Sequence, residues 1–383
     1  MPTDNEFQCA YDNFRGNRTE MAKYLGVSRG TTFNWCQKYE ASLEDNQVRE
    51  VRAAEKKVKG LEEQLAAETR RREIAEADLQ SLQETSRILE QVDGQTINAR
   101  HLTQPTHTMG DGCTAVVCCT DWHLEKKILP STVSGLNEFN LQIAQVRIDR
   151  LWKKAVYLID FFRNIAKVNE VLLWFGGDLI NNHLHDEDVE SNNLGPAEAV
   201  SLLQDHMVTG IQHLTKNVKD ATMRVVCNYG NHARTTRFQR QATGWKHNWE
   251  WLAYNTMSKV FPEIPFQIAQ GYFNYVDVQG YTVRFHHGEA VKYNGGVGGL
   301  QIPMNKALSQ WDKAKHADFS VNGHYHTYKD EWTWTSTGCL CGYDSFAQSI
   351  KADFQEPTQT IIFIDKSRGK VLSCPIFVEK PVS

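Results

Sequence analysis

The 383 residues, 41% hydrophobic and 10% aromatic, are enough for one large domain with accessories, since domains commonly run about 100–200 residues. A net charge of −4 excludes a global basic field that would draw in nucleic acid, and no apolar run approaches the ~20 residues that span a bilayer. The polar start Met1-Pro-Thr-Asp-Asn-Glu lacks signal-peptide character, and nine cysteines without secreted-domain spacing point to a reducing, cytoplasmic setting with no membrane partner.

Residues 1–45 read as a small helical unit. The run from Asn17 gives a helix, Gly26 its turn, and Ser28 the cap of a second helix, with Ala22, Leu25, Val27, Phe33 and Trp35 as apolar positions. This resembles a helix-turn-helix that reads DNA with its second helix, which would turn Arg29, Thr31, Thr32 and Asn34 toward a groove. Five basic residues stand against seven acidic ones here. Phosphate contacts dominate DNA affinity, so one unit alone would bind weakly, and a protein-docking module is the alternative.

Residues 46–92 are charged, nearly free of Pro and Gly, and heptad-like. With Val51 at a, Val58, Leu65 and Leu79 also fall at a, while Ala54, Leu61, Ala75, Leu82 and Leu89 fall at d. Glu68 at d and Arg72 at a interrupt the seam, as a pair that would fix register. The expectation is a coiled coil about 60 Å long that makes the chain a homo-oligomer, first of all a dimer. Pairing would also bring two weak DNA-binding units to one duplex. Residues 93–113, with Gly94, Pro105, Gly110 and Gly112, form a linker.

From 114 to 383 the pattern is α/β. Strands near 114–119, 171–175 and 223–228 alternate with helices near 140–166 and 197–217. Beyond Phe261 the pattern turns strand-rich, with runs such as 281–285 and 360–364. Two sheets packed face to face and flanked by helices would hold this pattern. Cys118 and Cys119 lie in an apparent buried strand as small apolar fillers. Cys339-Leu-Cys341 has no matching second pair, so it is a weak zinc motif.

Five clusters follow strand-like runs in this unit: Asp121-Trp-His123, Gly177-Asp178, Gly230-Asn231-His232, His286-His287-Gly288 and Gly323-His324-Tyr-His326. Strand ends in an α/β sheet converge on one rim, and Asp, Asn and His suit divalent metals that prefer oxygen and nitrogen. Two cations roughly 3.5–4 Å apart lower the pKa of a bound water and neutralise charge on an attacked phosphorus. Asp178 is the natural bridging carboxylate, and Asn231 supplies a neutral amide oxygen. The i, i+2 spacing of Asp121 with His123, and of His324 with His326, would turn each pair to one side of an extended backbone.

The series resembles the calcineurin-like metallophosphoesterase family, whose pattern runs D-x-H, G-D, G-N-H-D/E, H, G-H-x-H, over about 114–327. The resemblance implies a β-sandwich flanked by helices and two divalent metal ions, manganese first, with iron, zinc or magnesium as alternatives. It implies Asp121, His123, Asp178 and His326 at one metal, and Asp178, Asn231, His287 and His324 at the other. His287 is preferred to His286 because the family histidine precedes a small residue, here Gly288. His232 matches the catalytic histidine that binds no metal. Ala233 stands where the family carries Asp or Glu, so His232 needs another partner, for which Asp186, Glu187 and Asp188 are candidates. The coiled coil and DNA-reading unit point toward the SbcD-type nuclease branch. Asn181 stands where that branch tends to place a histidine, with His183 and His185 close behind.

After Asn231 come Arg234, Arg237, Arg240 and Lys246, interleaved with Phe238, Trp245, Trp249 and Trp251, with no acidic residue before Glu250. Such a segment suits a phosphate backbone and unstacked bases, or else a helix that packs its aromatics inward. The glycine-rich 295–299 lacks the Gly-Lys-Ser/Thr ending of a P-loop, which excludes an ATPase of that kind. The expected function is a two-metal-dependent phosphodiester hydrolase, a DNA nuclease. The alternatives are a phosphatase or small-molecule phosphodiesterase, or a non-catalytic DNA-binding or scaffold protein on the same fold.

Overall fold

A computed structural model describes residues 2–15, 17–92, 112–293, 298–349 and 351–379. The expected linker at 93–113 lies almost wholly outside them, as does most of the glycine-rich 295–299. The chain divides into two compact units, Met1–Gln104 and Pro105–Ser383.

The first unit holds helices α1 (Asp4–Asn13), α2 (Arg18–Leu25) and α3 (Arg29–Val92). Thr3 and Glu6 start α1 with a reciprocal capping box, which satisfies two otherwise orphaned N–H groups. Asn17 caps α2, Gly26 ends it at φ +63°, and Ser28 Oγ accepts the Thr31 N–H at 3.1 Å to open α3. Phe7, Ala10, Met21 and Cys36 form the small core. Two side chains depart from the sequence expectation. Phe33 is exposed under the Arg18 guanidinium, and Cys36 takes the inward place. Thr32 is fully buried with its hydroxyl donating to Ser28 O, so it cannot face a groove; Arg29 and Asn34 are exposed and Thr31 half-buried.

The helix that opens at Arg29 runs without a break through position 45 to Val92, 64 residues in all, or roughly 96 Å at 1.5 Å per residue. Val51, Val58, Leu61, Leu65, Leu79 and Leu82 are all more than half exposed along it. The two interrupting residues pair with other neighbours: Arg72 with Glu76 at 2.9 Å and Glu68 with Arg71 at 3.9 Å.

In the second unit one sheet runs in the order β11-β10-β1-β2-β3-β4. Its strands are β1 (Cys113–Cys119), β2 (Val168–Phe175), β3 (Thr222–Cys227), β4 (Phe266–Ile268), β10 (Thr358–Asp365) and β11 (Gly369–Phe377). The other, in the order β5-β6-β7-β9-β8, holds β5 (Asn274–Val278), β6 (Tyr281–His286), β7 (Phe319–Asn322), β8 (Lys329–Asp330) and β9 (Trp334–Ser336). Helices α4 (Leu141–Phe162), α5 (Asp186–Ser191), α6 (Pro196–Asn217), α7 (Trp249–Val260), α8 (Gln301–Trp311) and α9 (Ser345–Ser349) complete the unit.

Side chains alternate across a strand, and β1 divides accordingly. Val116 and Cys118 meet Val283, Phe285 and Val321 between the sheets, whereas Ala115, Val117 and Cys119 meet Ile148, Leu151 and Leu203 of α4 and α6. Met304 and Leu308 of α8 pack against Trp334 of the second sheet. The α/β sandwich of two sheets flanked by helices is therefore as expected, with α8 and α9 added to the strand-rich half. Strands β1, β2 and β3 are parallel neighbours, as are β6 and β7. Within each set the carboxyl ends emerge together.

Candidate metal centre

The five histidine- and aspartate-bearing segments leave those strand ends. Asp121, His123, Asp178, His324 and His326 have φ of 53°, 44°, 51°, 74° and 55°. Left-handed backbone is uncommon for residues other than glycine and persists where its surroundings enforce it. The pairs Asp121/His123 and His324/His326 therefore do not share one face of an extended strand, as their spacing suggested. They converge because the chain coils left-handed just past β1 and β7.

Long-range hydrogen bonds hold that coil. The N–H groups of Asp121 and His123 donate to Gly177 O and Asp178 O at 3.0 and 3.1 Å, and Gly323 N–H donates to His287 O at 2.8 Å. The His324 N–H donates to the Asp121 carboxylate at 2.9 Å. Two loops approach so closely that only glycine fits. A Cβ on Gly177, at φ +89°, would lie 2.3 Å from Gly230 N, and one on Gly230 would lie 2.0 Å from Asp178 Oδ1.

The donor atoms gather in overlapping sets. Those of Asp121, His123 and His326 lie within 4.8 Å of one another, as do those of Asp178, His287 and His324; Asp178 also groups with His123 and His232. His123 Nε2 is 3.1 Å from His326 Nε2, and His287 Nε2 is 2.8 Å from Asp178 Oδ2. Asn231 Oδ1 is buried with no hydrogen-bond donor among the described residues. Buried carboxylates and an orphaned acceptor need a cation or a donor to offset lost hydration. The oxygen and imidazole set has the donor chemistry that divalent cations take.

The charges within the cluster reinforce this. Burial opposes charge on His287, but the adjacent Asp178 carboxylate outweighs it and holds the imidazole well above its usual range. Burial likewise opposes charge on His326, yet Asp121 brings it up to about 9. Burial and then the neighbouring His287 push His324 down to about 3, and burial with His232 and His326 lowers His123. The aspartate neighbours thus raise the basicity of His287 and His326, and cation binding there would be coupled to proton release.

Backbone and amide oxygens orient the rings. His123 Nδ1 donates to Asn181 Oδ1 at 2.8 Å, and His287 Nδ1 donates to Gly176 O at 2.8 Å. Each leaves Nε2 for the centre. His232 Nδ1 donates to Asn181 O at 3.1 Å. That carbonyl takes the place of the acidic neighbour that Ala233 lacks. Asp188 acts one step away, accepting from Asn181 Nδ2 at 2.8 Å, while Asp186 and Glu187 are exposed. His183 and His185 are also exposed, with the His185 ring 6.2 Å from that of His232. Asn181→Ala is expected to weaken divalent-cation binding by about 10–100-fold, read by calorimetric titration with Mn²⁺ as probe; unchanged affinity would dismiss the orienting role.

His286 turns the other way, toward the rings of Tyr272, Phe273 and Trp311, while His287 joins the cluster. Two glutamates that spacing did not single out pin the loops. Glu250 accepts the N–H groups of Leu179 and Gly230 at 2.5 and 2.8 Å, and Glu125 accepts those of Asn181 and Asn182 at 2.9 and 2.6 Å. Their signal is burial, which local sequence does not display. The sulfurs of Cys339 and Cys341 lie beside His326, which supplies a third donor to the pair that looked isolated in sequence.

The arginine segment divides between the two readings: its arginines lie off any helix, whereas Trp249 opens α7 and packs against the core. Residues 234–243 form an irregular loop before a short turn at Gly244–His247 and then α7. Arg234 is half-buried and donates to Asn231 O at 2.7 Å, so its head holds the loop. Arg237 and Arg240 are exposed, and Arg237 lies over the exposed Phe238 ring.

No protein-family profile and no curated protein matches this sequence. Several solved structures are similar in part. A predicted phosphoesterase from Streptococcus pneumoniae is 12% identical, with a TM-score of 0.27 over 69% of this chain and 97% of that one. Zinc-complexed Vps29 from Entamoeba histolytica is 12% identical, with a TM-score of 0.27 over 69% of this chain and 99% of that one. A hypothetical protein from Pyrococcus horikoshii is 8% identical, with a TM-score of 0.34 over 71% of this chain and 90% of that one. At such scores the chemistry of the centre rests on its own side chains.

Proposed function

We propose that the chain is a two-metal-dependent phosphodiester hydrolase acting on DNA. One observation carries the reading: Asp178 belongs to two adjoining donor sets while Asn231 Oδ1, buried in the next loop, has no donor among the described residues. Asp121, His123, Asp178 and His326 would hold one cation, and Asp178, Asn231, His287 and His324 the other, with manganese the first choice. When bound, the cations would lower the pKa of a coordinated water and neutralise charge on the phosphate.

The remaining work belongs to the chain. Asn181 and Gly176 hold the imidazoles of His123 and His287 with Nε2 inward. His232, steadied at Nδ1 by Asn181 O, presents Nε2 to move a proton at the departing sugar oxygen. Arg237 and Arg240, exposed beyond the loop of His232, would meet the backbone phosphates. The direct assay offers linear and circular DNA, single-stranded DNA and bis-p-nitrophenyl phosphate with Mn²⁺. Turnover of the small ester alone would favour a phosphatase or small-molecule phosphodiesterase. DNA retention in a gel shift without turnover of any ester would favour a binding protein.

The exposed apolar seam of α3 supports self-association, because a helix with that seam bare would leave leucines in water. A dimer is expected in sedimentation equilibrium, and Leu61→Lys with Leu65→Lys is expected to give monomers. A monomeric native chain at micromolar concentration would remove the coiled-coil reading. Arg29, Thr31 and Asn34 at the start of α3 remain the candidate DNA contacts, without Thr32. No helix among the described residues is long and apolar enough to cross a membrane.

A further inference from the structure

His324 and His326 have a second environment. Beside them opens a cavity of about 340 Å³, whose wall includes Tyr293, Tyr325, Tyr343 and Phe346. The rings of Tyr325 and Tyr343 are held in place. Tyr325 Oη donates to Gly288 O at 2.9 Å, and the Tyr343 ring meets Phe354 edge-on at 5.6 Å. Phe346 is 59% exposed, a large apolar face left open at the edge of a polar centre. Lone exposed apolar residues are ordinary, but rings grouped around one cavity beside a charged cluster are a recognisable ligand-site arrangement.

Lys292 and Lys329 on the wall stand against Glu289 and Asp353, and His326 beside them is already engaged by Asp121 at 3.5 Å. Lys329 leans toward Glu331 at 3.5 Å, and Glu289 accepts from Gln239 at 2.7 Å. The cavity therefore does not select a second phosphate. Its chemistry favours a flat, neutral, polar-edged ring. Its size lies near the small end of small-molecule sites, about 300–1,000 Å³, which suits one base and its sugar. A base pair still stacked on its neighbours does not fit.

We propose that this cavity receives one unpaired nucleobase of a nucleotide whose phosphate lies at the metal centre. The inference rests on the phosphodiesterase reading, since it takes that phosphate as its anchor. It adds a substrate class: single-stranded DNA, or a duplex end that has opened, because a base must leave its stack to enter. Stacking on aromatic rings tolerates any base, so the cavity demands an unpaired base without demanding a sequence.

The test is calorimetric titration of the full chain, loaded with Mn²⁺, with thymidine 5′-monophosphate and with 2-deoxyribose 5-phosphate. The nucleotide is expected to bind about tenfold more tightly, and Phe346→Ala and Tyr343→Ala are each expected to cut that preference severalfold. Because Phe346 is largely exposed, its removal leaves the core intact. Equal affinity for the two ligands, no binding of the nucleotide, or variants that weaken both ligands alike would overturn the proposal. Failure of the hydrolase reading shows differently: base-selective binding would persist with no ester turned over. Turnover without base preference would instead remove the cavity's role and leave the hydrolase.

Discussion

Asp178→Asn is expected to lower kcat on DNA by at least roughly a hundredfold, the scale for losing one group that stabilises transition-state charge, and to reduce bound Mn²⁺. The carboxylate lies 2.8 Å from His287 Nε2 and accepts the His232 N–H at 2.7 Å. An amide keeps the second contact and the shape while it removes the negative charge shared by the two donor sets. Metal content by mass spectrometry and a thermal melt separate lost chemistry from lost folding. His324→Ala should behave similarly, because it takes one nitrogen from the second set. Retained turnover in a folded Asp178→Asn protein would count heavily against the centre.

The largest loss of stability is expected from Glu250→Ala. Its carboxylate is fully buried and accepts two backbone N–H groups, one from Asp178's own loop and one from the loop after β3. Removing it orphans both donors at about 1–3 kcal/mol each, so a loss of roughly 2–6 kcal/mol is expected in urea unfolding. A loss under about 1 kcal/mol would mean that water or a neighbour replaces the carboxylate. Burial, with Asp178 nearby, pushes the Glu250 carboxyl up to about 8 from 4.5. The folded chain thus keeps a proton that the unfolded chain releases. The group's contribution is full below about 4.5 and is lost as pH rises through about 8. Glu250→Gln, which cannot ionise, is expected to flatten stability across that window.

The apolar runs that became β1, β2 and β3 were plain in the sequence, because buried strands leave little choice of residue. The ends of α2 were equally plain, since Asn17 and Gly26 act on backbone within a few residues of themselves. Helix α1 does not stand out in the sequence although Thr3 and Glu6 spell its capping box, because its apolar face, Phe7 and Ala10, is too short to show a period. Thr32 and Phe33 sit on the opposite sides from those their sequence suggests, because one helical turn does not say which stripe meets the small core.

The centre divides in the same way. Which residues carry donor atoms, and that they follow strands, is a property of short segments and was open to inspection. How they meet is not. Asp121 bonds His324 across 203 positions, Glu250 bonds Leu179 across 71, and His123 bonds Asn181 across 58. Those partners are chosen by parallel strand register and by loops bent into left-handed backbone, at a conformational cost that only neighbouring loops offset. The sequence by itself determined the donor set and the strands that carry it. The tertiary structure alone decided the orientation of each ring, the substitute for an acidic neighbour of His232, and the aromatic cavity beside the cluster, because each depends on atoms that only the packed sheets bring together.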